Sequence, residues 1–291
     1  SRAGIAVITS FCIVLYIYVQ HKAVVEQSFK GFFLAGIVLG IASLVRSTPI
    51  LFPVFLLAYL WFARPGNISV SAIFAKMAVM VLGVMMVIAP WAVRNHGLVD
   101  KYIPTMSVLG VSAYQGQYIC KNIESGKGFD VLGKEAARNR TELALDQGYQ
   151  FRKGYYQYFF NAKDEVEFSD YLKSRVVQDY VAAPGLFVKC ALLNSLHFWF
   201  TGQNWPSTML NTILQLPFIV LAFVGMYLAI KQGKFKLVAP MLLFMLYFYA
   251  VHIPVLAVAR YSVPLIPLMS VFVAIAIAHI IDKKSQRKSD A

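Results

Sequence analysis

The sequence has 291 residues, of which 58% are hydrophobic and only 14% are charged, and its mean hydropathy is +0.61. A soluble domain carries roughly 25% charged residues, so this composition excludes an ordinary soluble protein. The apolar residues fall in blocks of about 16–22, the length that crosses a hydrocarbon core. Runs such as Ala78–Pro90 and Phe218–Ile230 are apolar on all sides, whereas barrel strands alternate in polarity. The sequence therefore predicts an all-α, polytopic bundle of about seven or eight transmembrane helices.

The predicted spans fall into two groups on either side of a longer, more polar stretch. The last part of that stretch, Gly185–Phe200, is apolar again but holds Lys189, Asn194 and His197. It is interpreted as a span, a re-entrant piece or an interfacial helix, and these alternatives stay open. The other predicted spans are Gly4–Val19, Gly31–Val45, Pro49–Phe62, Val70–Trp91, Met209–Ile230, Leu237–Leu256 and Val263–Ile281.

Four regions follow from this division. Residues 1–93 hold the first four helices, 94–207 form an external and mainly helical segment with an optional membrane-embedded helix at 185–200, 208–281 hold the remaining spans, and 282–291 form a basic tail. Within the external segment, Val131–Tyr158 has roughly helical spacing. Ser169 is placed to cap a helix that starts at Asp170 and that Pro184 ends.

Charge sets the predicted orientation. The tail Asp282–Lys288 and the loop Lys231–Lys236 are basic, so the positive-inside rule places both in the cytoplasm. The polar stretch then lies outside, as do Arg46 and Arg260. We expect a multi-pass integral membrane protein, by default of a bacterial inner membrane, with a cytoplasmic C-terminus.

The net charge of +13 is explained by topology rather than by nucleic acid. From Asp100 to Lys189 the sequence has twelve Lys and Arg residues against eleven Asp and Glu residues, so nearly all of the excess lies elsewhere. Basic residues beside membrane spans face anionic lipid. Membrane lipid is therefore an expected partner and nucleic acid is not.

Cysteine and carboxylate spacing gives no metal or cofactor motif. Cys12 is predicted to be a small core residue, and Cys120 and Cys190 could in principle pair in an oxidising compartment. The external acidic residues form no diagnostic pair and are interpreted as solvated charges. No cofactor is identified, and a divalent metal is left open although no ligand cluster indicates one. The acidic residues considered are Asp100, Asp130, Asp146 and Asp170.

Three arginines occupy unusual places. Arg46 lies between two apolar helices, Arg260 between the last two, and Arg94 just after Trp91 at the end of the fourth span. A charge near the bilayer is paired, snorkelling or functional. Either Arg46 and Arg260 reach the headgroups, or they bind a lipid phosphate, which suits a planar guanidinium. Arg94 either anchors its helix or lines an external pocket.

Several short motifs, in a shared order over about Gly31–Ile281, resemble the later half of polyprenyl-phosphate-sugar-dependent membrane glycosyltransferases. These enzymes have the C-type fold and include protein O-mannosyltransferases of glycosyltransferase family 39 type and lipid A aminoarabinose transferases. The stretches that carry the resemblance are Leu44–Pro49, Ala89–Asn95, Gly110–Gln117, Pro184–Phe187 with Phe198-Trp199, and Ala259–Pro267.

The resemblance implies transfer of a sugar from a polyprenyl-phosphate carrier to an acceptor hydroxyl on the outer side, with inversion. It makes Arg46 and Arg260 contacts of the donor phosphate, Arg94 a further candidate, and Tyr114 and Tyr261 lining residues of an external cavity. The acceptor is left open among protein, lipid and glycan. The family's catalytic carboxylate follows its first span, and this sequence has no Asp or Glu before Glu26. We therefore expect the catalytic residue upstream of Ser1, in a longer chain.

Two other functions use the same features. A transporter or flippase of a lipid-linked sugar would also need interfacial arginines, although the sequence shows no repeat of the kind that transporters often have. A non-catalytic assembly subunit would fit a chain without the carboxylate. Transfer of labelled sugar separates the enzyme from both.

Overall fold

The computed structural model describes residues 2–65, 68–105, 108–152, 155–159 and 161–289. The chain divides into two compact units. The first unit combines Ser1–Val87, Thr212–Phe248 and Ser262–Ala291, and the second combines Ile88–Asn211 with Tyr249–Tyr261. The predicted external segment 94–207 falls within the second unit.

Helices account for most of the described residues, with one short β-hairpin in the second unit. Four 3-10 turns, at Thr48–Leu51, Ile123–Ser125, Ala259–Tyr261 and Val263–Leu265, join or extend the helices. The α-helices and strands are α1 (Arg2–Glu26), α2 (Phe29–Val45), α3 (Phe52–Ala63), α4 (Val70–Val99), α5 (Leu109–Asn122), α6 (Phe129–Asp146), β1 (Phe151–Arg152), β2 (Tyr155–Phe159), α7 (Ala162–Ala182), α8 (Pro184–Phe200), α9 (Trp205–Lys231), α10 (Phe235–His252) and α11 (Ile266–Ser289).

Five helices among the described residues are long and apolar enough to cross a membrane, or six if α7 and α8, which bend by 112° at Ala183, form one span. The five are α1, α4, α9, α10 and α11 with the turns before it. Two predicted spans are shorter, since α2 has 17 residues and α3 has 12. The prediction of a helical protein with several candidate spans is confirmed, and the number of about seven or eight stays a prediction.

In the first unit, α2 and α4 approach each other closely at two glycines. A Cβ atom on Gly36 would overlap the Met80 carbonyl oxygen, and one on Gly83 would overlap the Phe33 carbonyl oxygen. Small residues let helix backbones approach in this way in membrane proteins. Glycine is therefore required at both positions, because a larger residue would not fit between the two helices.

A cluster of aromatic rings fills another part of the first unit. Tyr16, Phe52 and Phe244 are fully buried, and their ring centroids lie 4.8–6.0 Å apart. Edge-on and tilted contacts of this kind add to the stabilisation that burial alone gives. The cluster joins α1, α3 and α10, and its member Phe52 directly follows the 3-10 turn Thr48–Leu51.

In the second unit, α5 packs against α6, α7 and α8. Gly110 and Gly116 of α5 face the carbonyl oxygens of Ser169 and Val255, where a Cβ atom would clash. The core that α5 shares with α6, β2 and α7 consists of Ala113, Tyr114, Ala144, Phe159, Phe168, Leu172 and Val176.

Two local predictions in this segment are wrong. The helical pattern predicted over Val131–Tyr158 ends at Asp146, because Gly148 adopts φ +81° and the chain turns into the hairpin. Ser169 does not cap a helix. It lies buried inside α7, where its hydroxyl accepts a hydrogen bond from the Gly110 N–H at 3.2 Å.

The three cysteines have different environments. Cys120 of α5 and Cys190 of α8 form a disulfide across 70 residues of sequence, which the sequence had left as an option. Cys12 is a free, buried thiol in α1, as predicted for a small core residue. The disulfide fixes α8 against α5.

Candidate functional site

Arg46 lies at the C-terminal end of α2, in the first unit. Its extended backbone leaves the helix while its N–H still donates to the Ala42 carbonyl oxygen at 2.9 Å. The half-buried guanidinium carbon lies 5.8 Å from the centre of the Phe248 ring. A cation over an aromatic face is stabilised electrostatically, so the ring helps to hold the charge at the helix end.

The turn after Arg46 is fixed from one side. Pro49 is buried within the 3-10 turn Thr48–Leu51, and the Tyr247 hydroxyl donates to the Thr48 carbonyl oxygen. Tyr247 also packs against the Phe52 ring at 5.7 Å. These contacts position the turn that follows Arg46 without involving the charge of the arginine.

Arg260 lies in the second unit, in the 3-10 turn Ala259–Tyr261 that precedes α11 in the chain. Its side chain is exposed, and its guanidinium carbon lies 5.3 Å from the Tyr261 ring centre. Tyr261 in turn packs at 5.2 Å against the buried ring of His252. The structure thus brings together two of the predicted residues, Arg260 and Tyr261.

The segment that carries Arg260 is held by backbone contacts. The side-chain amide of buried Asn194 donates to the carbonyl oxygens of Ile253 and Val255 at 2.8 and 2.6 Å. The Ala259 N–H donates to the Thr201 carbonyl oxygen at 3.0 Å. Because both partners belong to α8 or its end, α8 positions the turn that presents the arginine.

Arg94 lies near the end of α4 with an exposed side chain. Its guanidinium lies 5.0 Å from the Trp91 ring and donates to the Asn95 side-chain oxygen at 3.3 Å. Asn95 also donates to the Ile103 carbonyl oxygen at 2.9 Å. These contacts order the helix end and are compatible with either of the two interpretations.

Tyr114 is placed differently from the other predicted residues. It is buried in the core of the second unit, and its hydroxyl donates to the Asn139 side-chain oxygen. Burial raises the pKa of the Tyr114 hydroxyl, and nearby Arg175 and Arg140 oppose that shift. The contacts described for Tyr114 are structural, and its role as a cavity-lining residue stays a prediction.

In the second unit, the lysines and the arginines differ in how often they form ion pairs. Most of its described lysines form ion pairs, such as Lys101–Asp170 at 2.9 Å, Lys121–Asp179 at 2.6 Å and Lys189–Glu124 at 2.5 Å. Among the arginines of the second unit whose side chains the structure describes, Arg138 pairs with Glu142, whereas Arg94, Arg140, Arg175 and Arg260 have no carboxylate within 4.0 Å.

Arg140 and Arg175 were missed by the sequence reasoning. Burial lowers the pKa of Arg140, against an opposing effect of Glu165, and Arg175 donates to the Tyr171 hydroxyl at 3.3 Å. The sequence did hold a signal for Arg140, which lies four residues after Ala136 and four before Ala144. This spacing places the three residues on one face of a helix, and both alanines are buried. The same face of α6 therefore carries the arginine toward the interior.

The described residues contain no group of three or more His, Cys, Asp or Glu side chains that could hold a metal ion. Whether the protein needs a divalent metal stays open, as in the sequence analysis. Comparison with known proteins adds nothing further, since no protein-family model, curated protein or solved structure matches this chain.

Proposed function

We propose that this chain forms the donor-binding part of a membrane glycosyltransferase, which moves a sugar from a polyprenyl-phosphate carrier to an acceptor hydroxyl on the outer side. One observation carries the proposal. Arg260 is an exposed guanidinium on a turn whose Ala259 N–H donates to the Thr201 carbonyl oxygen, it packs on Tyr261, and no described carboxylate lies within 4.0 Å of it. The turn also precedes a helix apolar enough to lie in a membrane.

The chemistry requires a cation of this kind. Transfer breaks the bond between the sugar anomeric carbon and the phosphate oxygen, and the acceptor oxygen bonds to that carbon. Negative charge builds up on the departing polyprenyl phosphate. A guanidinium keeps its charge and offers a planar fork of donors, so fixed arginines stabilise the leaving group. The acceptor proton passes to a carboxylate, which the family resemblance implies as the catalytic group.

Arg46 is the second proposed phosphate contact and Arg94 a weaker one. Arg46 is the C-cap residue of α2 and Arg94 lies in the last two turns of α4, and each is near an aromatic ring. A lipid phosphate is found at that depth, because headgroups border the hydrocarbon core. The proposed ligand therefore matches the predicted depth as well as the charge.

The disulfide supports the outer side as the place of reaction. Disulfides persist in the periplasm and outside cells, and are rare in the cytosol. Cys120 and Cys190 both lie in the second unit, which contains the segment that the basic loops predict to be external. Two independent arguments, one from charge and one from thiol chemistry, thus favour the same orientation.

Donor binding tests the proposal without requiring transfer. The protein, purified from its native membrane into lipid nanodiscs, is titrated with sugar-free polyprenyl phosphate, and the dissociation constant is measured for Arg260→Gln and Arg46→Gln. Each variant is expected to weaken binding about tenfold or more, since each removes charge-assisted hydrogen bonds. Arg138→Gln is the matched control, because Arg138 is exposed on α6 and pairs only with Glu142 within the described residues.

Transfer and transport are separated in a second measurement. Proteoliposomes loaded with a labelled polyprenyl-phosphate sugar are incubated with acceptor candidates. Label that moves to an acceptor supports the enzyme, whereas lipid carrier that changes leaflet without transfer identifies a transporter. Wild-type protein that binds no polyprenyl phosphate, or an Arg260→Gln variant that binds it as well as wild type does, contradicts the proposal.

A further inference from the structure

A polar pocket of about 440 Å³ lies in the second unit, where α6 ends and α7 begins. This volume is within the range of about 300–1,000 Å³ that small-molecule sites occupy. The pocket belongs to none of the motifs that predicted the donor site. Its lining residues are Gln147, Gly148, Tyr149, Gln150, Asn161 and Asp164.

One wall is built by the end of α6. The Gly148 N–H donates to the Leu145 carbonyl oxygen at 2.9 Å, and the Tyr149 N–H donates to the Ala144 carbonyl oxygen at 3.0 Å. With Gly148 at φ +81°, this pair of bonds forms a Schellman motif. The Tyr149 ring is then held edge-on by Phe159 and Phe168, at 5.9 and 5.4 Å. These contacts fix the backbone of Gly148 and the ring of Tyr149, while Gln147 and Gln150 on either side are exposed.

The other wall is the start of α7. The Asn161 side-chain oxygen accepts from the Asp164 N–H at 2.7 Å and so caps the helix. The Asn161 amide also donates to one Asp164 carboxylate oxygen at 3.0 Å. This reciprocal contact orients the carboxylate and leaves its second oxygen available as an acceptor.

Several polar groups in the pocket have no partner among the described residues. These are the side-chain amides of Gln147 and Gln150 and the hydroxyl of Tyr149, for which no hydrogen bond to the described chain is found. Burial raises the pKa of Tyr149, as do the charges of Glu167 and Asp164, against an opposing effect of Lys101. At neutral pH the hydroxyl is therefore protonated and able to donate.

We infer that this pocket binds a neutral saccharide through its hydroxyl groups. A sugar hydroxyl both donates and accepts, and so do side-chain amides, while a carboxylate oxygen accepts from hydroxyls. Tyr149 adds an amphipathic ring whose apolar part can pack on the C–H groups of a sugar and whose hydroxyl reaches polar atoms. The pocket thus combines amide groups that both donate and accept, an oriented carboxylate and one aromatic ring.

The charge of the lining selects against an anionic ligand. No lysine or arginine is among the six lining residues, and the one charged group is the Asp164 carboxylate. A phosphate or a uronic acid would be placed against that carboxylate with no cation among the lining residues to compensate. The inference does not rest on the proposed sugar transfer, because none of the lining residues belongs to the proposed donor site.

The test measures saccharide binding directly. The full chain in lipid nanodiscs, free of sugar-headgroup detergents, is examined by saturation-transfer NMR and titration against neutral disaccharides of hexose and N-acetylhexosamine type. Uronic acid and sugar-phosphate analogues complete the panel. Asp164→Asn and Gln150→Ala are each expected to weaken the binding of neutral sugars about tenfold. Gln178→Ala is the control, because Gln178 is exposed on α7 and does not line the pocket.

Tyr149→Phe keeps the ring in its packing site and removes only the hydroxyl. It therefore tests the contribution of the hydroxyl to binding without the loss of packing that a smaller side chain would cause. Weaker binding in the three pocket variants, with unchanged thermal unfolding and an unchanged Gln178→Ala control, supports the inference. Wild-type protein that binds no neutral disaccharide, that prefers the anionic analogues, or that shares its affinity with the pocket variants overturns it. Titration with sugar-free polyprenyl phosphate is the separate test of the donor site, so the two proposals fail independently.

Discussion

The disulfide between Cys120 and Cys190 joins α5 to α8, the helix whose Asn194 holds the segment leading to Arg260. Its loss is expected to destabilise the protein, because it closes a loop of 70 residues. The chain-entropy model gives about 4 kcal/mol for a loop of that length. Thermal unfolding of Cys120→Ser measures the effect, with Cys12→Ala as the variant that leaves the disulfide intact.

Thiol labelling supplies a second readout for the same bond. Cys120 and Cys190 are expected to react with a maleimide only after reduction of the denatured protein, while Cys12 reacts without a reductant once the chain is unfolded. Labelling of all three cysteines in unreduced protein from the native membrane would contradict the disulfide and would remove its support for the external orientation of this segment.

The apolar helices were predictable because their signal is local. A block of apolar residues long enough to cross a membrane identifies α1, α4, α9 and α10 without any knowledge of packing. The disulfide was only an option, since pairing over 70 residues depends on how α5 meets α8. The end of α6 was missed because Gly148 ends a helix by its backbone conformation, which a pattern of apolar spacing does not register.

The candidate site was also predicted only as far as local sequence patterns allow. The sequence placed Arg46 and Arg260 between apolar helices and Arg94 just after the fourth span. In the structure Arg46 follows α2 and Arg260 lies in a turn between α10 and α11, but Arg94 still lies within α4. The sequence did not distinguish Tyr261, which packs beside Arg260, from Tyr114, which is buried and bonded to Asn139. Both are tyrosines in motifs that carry the family resemblance, and only tertiary packing separates their environments.

Tyr114 is therefore expected to affect stability more than ligand binding. Tyr114→Phe leaves the Asn139 oxygen without its donor in a mostly buried place, which costs about 1–3 kcal/mol. The affinity for polyprenyl phosphate is expected to stay within about twofold of wild type, because no guanidinium is removed. Thermal unfolding and titration on the same preparation check both parts, and a loss of affinity with unchanged stability would favour the cavity-lining role.

The contact between α2 and α4 predicts a steep dependence on side-chain size. Gly36→Val forces a side chain into the Met80 backbone, and overpacking of this kind costs about 1–3 kcal/mol or more. Gly97→Ala serves as the control, because a Cβ atom there meets nothing within 4 Å and alanine is the better helix former. A Gly36→Val protein as stable as Gly97→Ala would show that the two helices do not meet at this glycine.

Because Lys76 and Gln27 are hydrogen-bonded, replacing each of them is expected to lower the stability by a different amount. The ammonium of the buried Lys76 donates to the Gln27 side-chain oxygen at 2.7 Å and lies 5.5 Å from the Phe29 ring centre. Gln27→Leu leaves the charge without that acceptor, whereas Lys76→Met removes the charge itself. We expect Gln27→Leu to lower the unfolding temperature and Lys76→Met to lower it less. Equal losses in the two variants would mean that the hydrogen bond is not what compensates the charge.

Arg260 allows a graded test of why a guanidinium is needed. Arg260→Lys keeps the positive charge but replaces a planar fork of donors by a flexible point charge, and Arg260→Gln removes the charge. If the side chain grips a phosphate, the affinity for polyprenyl phosphate should fall in the order Arg, Lys, Gln, with about tenfold or more between the first and the last. Tyr261→Leu should weaken binding as well, since the ring that lies 5.3 Å from the guanidinium carbon is lost. If Arg260 only reaches the headgroups, lysine serves equally well, and identical affinities for Arg and Lys would favour anchoring over recognition.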